Sequence, residues 1–170
     1  MRCLRYLPWA ECEDAPLTLL HIGGWYTSSD TYAVDASGVF EGNYGFYTTL
    51  DRMLLTECED PEQGLGAFFQ FSWAPQDRNQ VDLSYGAGLV YRGLLPCRNE
   101  DTVGAGFSVI EFSPVLGNLT GQTYENAIEV FYKARVRDGL NIQPDLQYIV
   151  RPSGIQRDAL VVGIRFEVNF

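Results

Sequence analysis

The stretch ALVVGIRFEVNF, residues 159–170, determines how the rest of the sequence is interpreted. Its odd positions are small, charged or polar, with Val161 as the exception, and its even positions are all apolar: Leu160, Val162, Ile164, Phe166, Val168 and Phe170. Side chains on a β-strand point alternately to opposite faces, so this pattern predicts a strand. The stretch is longer than an ordinary strand of roughly 5–6 residues. It is long enough to cross a bilayer, which takes a tilted strand about 9–11 residues.

The same alternation recurs along the chain, where glycine and polar clusters separate eight predicted strands. These cover residues 17–27, 44–56, 64–74, 81–92, 102–112, 124–137, 140–150 and 159–170. Apolar residues do not repeat at helical spacing for three turns anywhere, so no helix is predicted. The sequence therefore indicates an all-β fold, an antiparallel up-and-down meander of eight long strands.

Two positions are expected to disturb this regular pattern. Glu111 falls on the apolar side of the strand 102–112, which indicates a bulge or the end of that strand. Pro144 interrupts the strand 140–150 and lacks the N–H that a strand ladder uses, so the strand should be distorted there.

Periodicity alone leaves the orientation of the two faces open. In a soluble barrel the apolar face points inward, whereas in a membrane barrel it meets lipid and the charged face lines a polar lumen. The length of the strands and the partly alternating long and short connections favour the membrane orientation. The predicted connection between the third and fourth strands is shorter than this rhythm requires, and the next connection is longer. Phe170 would then lie in the aromatic girdle at the rim of the apolar band.

Composition excludes several classes of function. A net charge of −10 argues against a nucleic-acid partner, which needs a basic surface. No run approaches the roughly 18 apolar residues of a transmembrane helix. The single histidine, His21, stands in a strand pattern with no nucleophile motif nearby, so an enzyme is not predicted.

The four cysteines do not show the spacing of a metal site, and no metal or cofactor is expected. They are Cys3, Cys12, Cys58 and Cys97. We interpret them as four unremarkable thiols, with a Cys58–Cys97 disulfide as the alternative if the two loops lie at the same end of the molecule. The first residues, MRCLRYLPWAECED, lack the apolar core of a signal peptide.

The segment YENAIEVFYKARVRDGLNIQPDLQYIVRPSGIQRDALVVGIRFEVNF, residues 124–170, resembles the carbohydrate-selective porins of Gram-negative outer membranes (OprB type). Its most specific part is LNIQPDLQYIVRPSG followed by DALVVGIR. QGLGAFFQFSWAPQDRNQVDLSYGAGLVYRGLLP (63–96), GGWYTSSD (23–30) and YGFYTTLDRML (44–54) are also similar to that family. The resemblance covers residues 17–170 and leaves residues 1–16 as a non-barrel N-terminal segment.

The resemblance implies a transmembrane β-barrel that admits sugars by diffusion. Members of the family have sixteen strands, so the chain is expected to form either a small closed barrel or the C-terminal half of such a porin. An N-terminally truncated sequence would explain both the missing strands and the missing signal peptide. The implied location is the bacterial outer membrane, and the implied partners are membrane lipid, sugars, and further strands or another copy of the chain. The alternative is a non-conducting structural or soluble barrel with an interior filled by side chains.

In a porin, the charged face of the strands would line the lumen and contact sugar. The residues predicted to line the pore are Asp51, Arg92, Glu125, Glu129, Lys133, Arg135, Asp145, Gln147, Arg165 and Glu167. The competing interpretation is that each charge only keeps the lumen wet or pairs with a neighbour. Asp145 and Gln147 stand out because Pro144 could turn them into the pore, unless Gln143, Asp145 and Gln147 form a ladder of hydrogen bonds between strands.

Overall fold

The computed structural model describes residues 18–57 and 60–169, which form one antiparallel sheet in which every strand pairs with its neighbours in sequence. The strands are β1 Thr18–Tyr32, β2 Val39–Glu57, β3 Asp60–Trp73, β4 Val81–Arg92, β5 Thr102–Phe112, β6 Tyr124–Arg137, β7 Leu140–Val150 and β8 Ala159–Val168. A short helix, α1 Pro114–Thr120, lies between β5 and β6, and a 3-10 turn, Pro152–Gly154, precedes β8. The predicted all-β up-and-down meander is confirmed.

Strands β4 to β7 begin and end where the sequence predicts, whereas β1, β2 and β3 are longer than predicted and β8 ends at Val168. The predicted connection 28–43 is wrong, because β1 and β2 continue to a hairpin turn at residues 33–38. β1 shifts register between Thr27 and Asp30 and then continues its pairing to Tyr32. Ladder hydrogen bonds use the backbone alone, so the polar residues of this segment do not end the strand. Residues 17 and 170, predicted as strand, lie outside the described residues.

The helix α1 corrects the prediction that no helix is present. The Ser113 side chain accepts a hydrogen bond from Val115 N at 3.2 Å, a proline occupies the first turn, and Gly121 ends the helix with φ +80°. These are a side-chain N-cap and a left-handed C-cap. A helix of seven residues is too short to show an apolar repeat, so only its capping residues could have revealed it.

The irregularities predicted at Glu111 and at Pro144 have different outcomes in the structure. β5 continues to Phe112, with Glu111 paired in register with Tyr124, so the strand does not end at Glu111. The bulge lies on the partner strand, between Val81 and Leu83. At Pro144 the expected distortion is confirmed: two pairs are missing from the β6–β7 ladder, between Phe131↔Asp145 and Ala134↔Ile142.

The connections differ in length at the two ends of the sheet. One end, here called the long-loop end, carries connections of six, seven, eleven and eight residues: 33–38, 74–80, 113–123 and 151–158. The other, the short-turn end, carries connections of nine and two residues, 93–101 and 138–139, and is where β2 ends at Glu57 and β3 begins at Asp60. Long loops on one side and short turns on the other are typical of outer-membrane barrels. The connection 74–80, predicted to be too short, fits this rhythm, and 93–101 remains an exception.

The apolar side chains are not packed into a core. Within the described residues, Ala33 is the one buried hydrophobic side chain. On β8, Leu160, Val162, Ile164 and Phe166 are between 64% and 74% exposed. A soluble barrel would bury this face, since monomers in water rarely leave large apolar surfaces uncovered. We call it the apolar face, and the opposite side, which carries Glu129 and Asp145, the polar face.

The sheet is open between its first and last strands. β1 and β8 form its two edges, and in the described part of the chain no pairing joins them. Unpaired strand edges are not tolerated in hydrocarbon, because each unsatisfied backbone group costs several kcal/mol. The open sheet therefore fits part of a larger barrel rather than a small closed one. In residues 18–57 and 60–169, no helix is long and apolar enough to cross a membrane.

Candidate lumen-facing site

All ten residues predicted to line the pore lie on the polar face. Residues that pair directly across neighbouring strands share a face, and the register links Arg92 through Thr102 to Lys133, and Arg135 through Asn141 to Glu167. The same pairing links Glu129 to Gln147. The register thus places the ten predicted residues on the polar face, which we also call the wall. Their partners differ between the short-turn end and the long-loop end of this wall.

Residues near the short-turn end are held in ion pairs. The Arg92 guanidinium lies 2.9 Å from Glu62, and Lys133 Nζ lies 2.5 Å from Glu167. Arg135 pairs with Glu100 and, at 2.7 Å, with Asp138. These side chains are partly exposed, and such pairs contribute little to stability. Each of these predicted residues therefore pairs with a neighbour, and its role in lining the pore stays a prediction.

Glu125 lies at the opposite end of the wall and anchors a loop. Its carboxylate accepts a hydrogen bond from the backbone N of Ser153 at 2.6 Å, which ties the connection 151–158 to β6. Arg151 of the same connection donates to Thr123 and places its guanidinium 5.0 Å from the centre of the Tyr124 ring. Glu125 is therefore a loop anchor rather than a free lumen group.

Three of the predicted residues have side chains without such partners. The side chains of Asp51, Glu129 and Arg165 make no hydrogen bond or ion pair to any residue that the structure describes. Asp51 and Glu129 lie at mid-height, whereas Arg165, opposite Gln143, lies nearer the short-turn end. Gln147 donates a long hydrogen bond of 3.4 Å to Asp145 on its own strand. This contact lies within β7. The alternative, in which Gln143, Asp145 and Gln147 form hydrogen bonds between strands, is therefore not observed among the described strands.

Two rows of residues cross the sheet at this height. The first, called the Glu129 row, runs through Asp51, Phe68, Gly88, Gly106, Glu129 and Gln147. The second, called the Asp145 row, runs through Val90, Gly104, Phe131, Asp145 and Gly163. Each row combines an aromatic ring, glycine and a carboxylate.

Aromatic residues on the polar face were missed by the sequence interpretation. A Cβ added to Gly88 would lie 2.5 Å from the Phe68 ring, and a Cβ on Gly45 would lie 2.7 Å from Trp25. The Phe131 ring lies against Gly104 in the same way, and the Tyr47 ring against Gly23. A signal was present in the sequence, since Phe68 and Phe131 stand among polar and glycine positions, out of phase with the apolar residues around them.

The long-loop end is held together by a cationic side chain between two aromatic rings. The Arg78 guanidinium lies 4.0 Å from the centre of the Phe40 ring and 5.9 Å from that of Tyr44. It also donates to Gly42 O at 3.0 Å and to Asp77 at 2.8 Å. The hydrogen bond from Arg78 lowers the pKa of Asp77, which keeps the pair charged. These contacts fix the connection 74–80 against the β1–β2 hairpin.

The short-turn end is fixed around Asp101, which is 4% exposed. Its carboxylate accepts hydrogen bonds from Arg98 Nε at 2.5 Å, from Arg135 N at 3.0 Å and from the Tyr132 hydroxyl. Burial alone would raise the pKa of Asp101, but these donors outweigh it and hold the pKa below its usual value. Asp101 therefore holds the connection 93–101 against β6 through hydrogen bonds.

Cys97 in this connection is disulfide-bonded, so the interpretation of four free thiols is wrong for Cys97. No spacing in the sequence distinguishes a cysteine that forms a disulfide from a free one. Cys3, Cys12 and Cys58 lie outside the described residues, and so does the predicted Cys58–Cys97 pairing. His21 pairs with Thr49 on the polar face, at the edge of the sheet, and no group of three His, Cys, Asp or Glu side chains that could hold a metal occurs in the described ranges.

Long strands, an uncovered apolar face and a polar face rich in charge define the wall of a transmembrane β-barrel of the porin type. The sequence model described as "Carbohydrate-selective porin, OprB family" matches residues 17–170. The chain belongs to the OprB family of carbohydrate-selective porins. This family membership implies a channel rather than an enzyme.

Individual relatives agree with this assignment. The chain is 26% identical over 148 residues to Porin B of Pseudomonas aeruginosa, covering 75% of this chain and 33% of that protein. It is 22% identical to the putative porin QuiX of Acinetobacter baylyi, covering 88% of this chain and 39% of that protein. The chain thus spans between a third and two fifths of the length of these curated relatives.

Solved structures show the same fold. The high-pH structure of Pseudomonas putida OprB superimposes with a TM-score of 0.81 at 23% identity, covering 90% of this chain and 44% of that one. The low-pH structure of the same protein gives a TM-score of 0.60 at 22% identity, covering 91% of this chain and 47% of that one. The open sheet described here therefore corresponds to part of a porin barrel.

Proposed function

We propose that these eight strands form part of the wall of an outer-membrane channel through which carbohydrates diffuse. The observation that carries the proposal is the contrast between the two faces of the sheet. One face leaves large apolar side chains uncovered, as lipid requires, while the other offers carboxylates and amides at mid-height.

The chemistry of the polar face suits an uncharged, hydroxyl-rich solute. Asp51 and Glu129 have no partner in the described residues, so their oxygens can accept hydrogen bonds from sugar hydroxyls that give up water. Passage through a pore requires contacts that replace hydration and yet release the solute. A few exchangeable hydrogen bonds on an open wall meet that requirement.

The edges β1 and β8 need further strands to complete such a channel. Eight strands would close into a barrel filled by its own side chains, whereas about sixteen leave an aqueous channel. We propose that additional strands, from the same polypeptide or from a second copy, pair with these two edges and complete the wall in the outer membrane. Lipid would then contact only the apolar face.

Sugar flux into liposomes tests the proposal. The full-length protein should make liposomes swell in isotonic monosaccharide, and Ser108→Trp should slow this swelling. Ser108 is exposed on the polar face between Gly86 and Ala127, so a large ring there would narrow the lumen. The matched control is Phe107→Trp, which places the same side chain on the apolar face and should leave the flux unchanged.

Protein that is folded and inserted but gives no swelling would contradict the proposed channel. Equal swelling by both tryptophan variants would contradict the assignment of the polar face to the lumen.

A further inference from the structure

Phe68 and Phe131 lie along the wall instead of projecting from it. The Phe68 ring lies on Gly88 and extends towards the next strand, since a Cβ on Gly106 would be 3.4 Å from its Cζ atom. The Phe131 ring lies on Gly104 from the opposite side. Three strand spacings, about 14 Å, separate β3 from β6. The two rings thus lean inward from opposite sides of β4 and β5, and we call the rings with the glycines beneath them the aromatic surface.

The wall under and between the rings is mostly glycine. The polar-face positions of β4 and β5 include Gly86, Gly88, Gly104 and Gly106, with Val90 opposite Gly104 and with Ser84 and Ser108 as neighbours. A solute in the lumen can therefore approach the rings from above and from the side. Both rings are half-buried, each with one side against the backbone of the glycines and the other towards the lumen.

Hydrogen-bonding groups surround this surface. Asp51 is the neighbour of Phe68 in the Glu129 row, and Glu129 lies on the far side of the glycines. Asp145 is the neighbour of Phe131 in the Asp145 row. A flat apolar centre with carboxylates at its rim is complementary to a pyranose ring, which has an apolar C–H face and a rim of hydroxyls. The negative face of an aromatic ring favours the slightly positive C–H groups.

We propose that Phe68 and Phe131 form a stacking site for a pyranose sugar on the lumen wall, a site that rests on the proposed carbohydrate channel. A sugar would lay its C–H face on the rings while its hydroxyls reach Glu129, Asp145 or Asp51. The sugar would contact the rings on one face and the carboxylates at its edge, but nothing on this sheet would contact its other face. Binding is therefore weak enough for release.

The competing role of the rings is structural. An aromatic side chain across a glycine fills the space that the missing side chain leaves and so fixes the register of a sheet. This role requires the contact with the glycine but makes no use of the ring face that points to the lumen. The two roles therefore differ in what a solute should experience.

Sugar-induced block of the ion current through the full-length protein in a planar bilayer tests the stacking site. Phe68→Leu and Phe131→Leu should each raise the glucose concentration needed for half block by roughly threefold to tenfold, the size of one aromatic contact, and the double variant should raise it further. Phe68→Tyr and Phe131→Tyr keep the ring and should block like the wild type. The matched control is Phe107→Leu on the apolar face, which should also leave the block unchanged.

The open-channel current in the absence of sugar shows that each variant has folded. If the leucine variants conduct normally and are blocked like the wild type, the rings are structural and the proposal is overturned.

A second measurement needs no substitution. The wild-type channel should be blocked by glucose at lower concentration than by sorbitol, which carries similar hydroxyls but no ring. Equal potency of the two solutes would overturn the stacking site, even while sugar-driven swelling upholds the channel. Absence of swelling would instead overturn the channel itself, so the two failures are distinguishable.

Discussion

Lys133 on β6 and Glu167 on β8 form an ion pair of 2.5 Å that spans the intervening strand β7. It lies where the β6–β7 ladder lacks two pairs near Pro144. The side chains thus connect second-neighbour strands at the point where the backbone ladder is interrupted. This contact belongs to the polar face and stays in contact with water.

We expect Lys133→Gln to lower the midpoint of urea unfolding in detergent slightly, because a partly exposed pair is stabilised by a screened attraction. The effect should disappear at roughly 1 M salt, where the Debye length is about 3 Å. Lys133→Gln in a Glu167→Gln background is the control and should have no further effect. A loss that persists at high salt would show that the pair acts through packing.

The two faces of β8 can be compared at neighbouring positions. Val162→Arg should destabilise the protein by about 2–4 kcal/mol if Val162 lies near the bilayer midplane, since it places a charge in lipid. Val162 is 74% exposed on the apolar face. Val161, which pairs with Gln147 on the polar face, provides the control: Val161→Arg should cost far less. Unfolding from lipid vesicles measures both, and equal losses would refute the orientation of the sheet.

Asp101 should make the connection 93–101 sensitive to acid. The folded protein holds the pKa of this carboxyl below its ordinary value of 3.8. A lowered folded-state pKa means that the stabilisation is fully present above about pH 4 and is lost as the pH falls through the lowered value. The wild type should therefore be more stable than Asp101→Asn at pH 6, and the difference should narrow towards pH 3. Urea midpoints at the two pH values measure this, and a constant difference would contradict it.

Asn126 is a polar side chain on the apolar face, between Val109 and Val150. Its Oδ1 atom is buried without a hydrogen-bond partner in the described structure, beside a pocket of about 460 Å³. Removing an unsatisfied polar group while keeping an apolar shape should stabilise, so Asn126→Val is expected to raise stability by about 1 kcal/mol. Thermal unfolding in detergent measures this. The control, Val109→Asn, should have the opposite effect, and a less stable Asn126→Val would show that bound water satisfies the oxygen.

Alternation predicted most of the fold because it reports directly on the two faces of a strand. β4 to β7 were delimited correctly, since glycine, proline or charged clusters flank clean two-residue periods. The β1–β2 hairpin was misjudged because a ladder passes through polar residues as readily as through apolar ones. The helix α1 was not predicted because its sequence signal consists of two capping residues and not of an apolar repeat.

The candidate site was only partly predictable. Alternation placed Glu129 and Lys133 on one face correctly, but it could not show that Lys133 is paired and Glu129 is not, because that depends on a residue two strands away. The role of Phe68 required the register, which alone reveals that Gly88 lies opposite. Closure could not be predicted, since it depends on what pairs with the edges of β1 and β8.

Side chains of β6 alternate between the two faces with a period of two residues. The number of residues in such a strand is therefore under stronger constraint than the type of residue at each position. One residue inserted between Ile128 and Glu129 would turn this carboxylate towards lipid and Val130 towards water, and would exchange every position between the insertion and the next connection. The connections at the long-loop end carry no such constraint. Insertions and deletions in relatives should therefore fall in segments such as 113–123 and 151–158, and functional diversity should arise there by changes in length while the wall between them varies only by substitution.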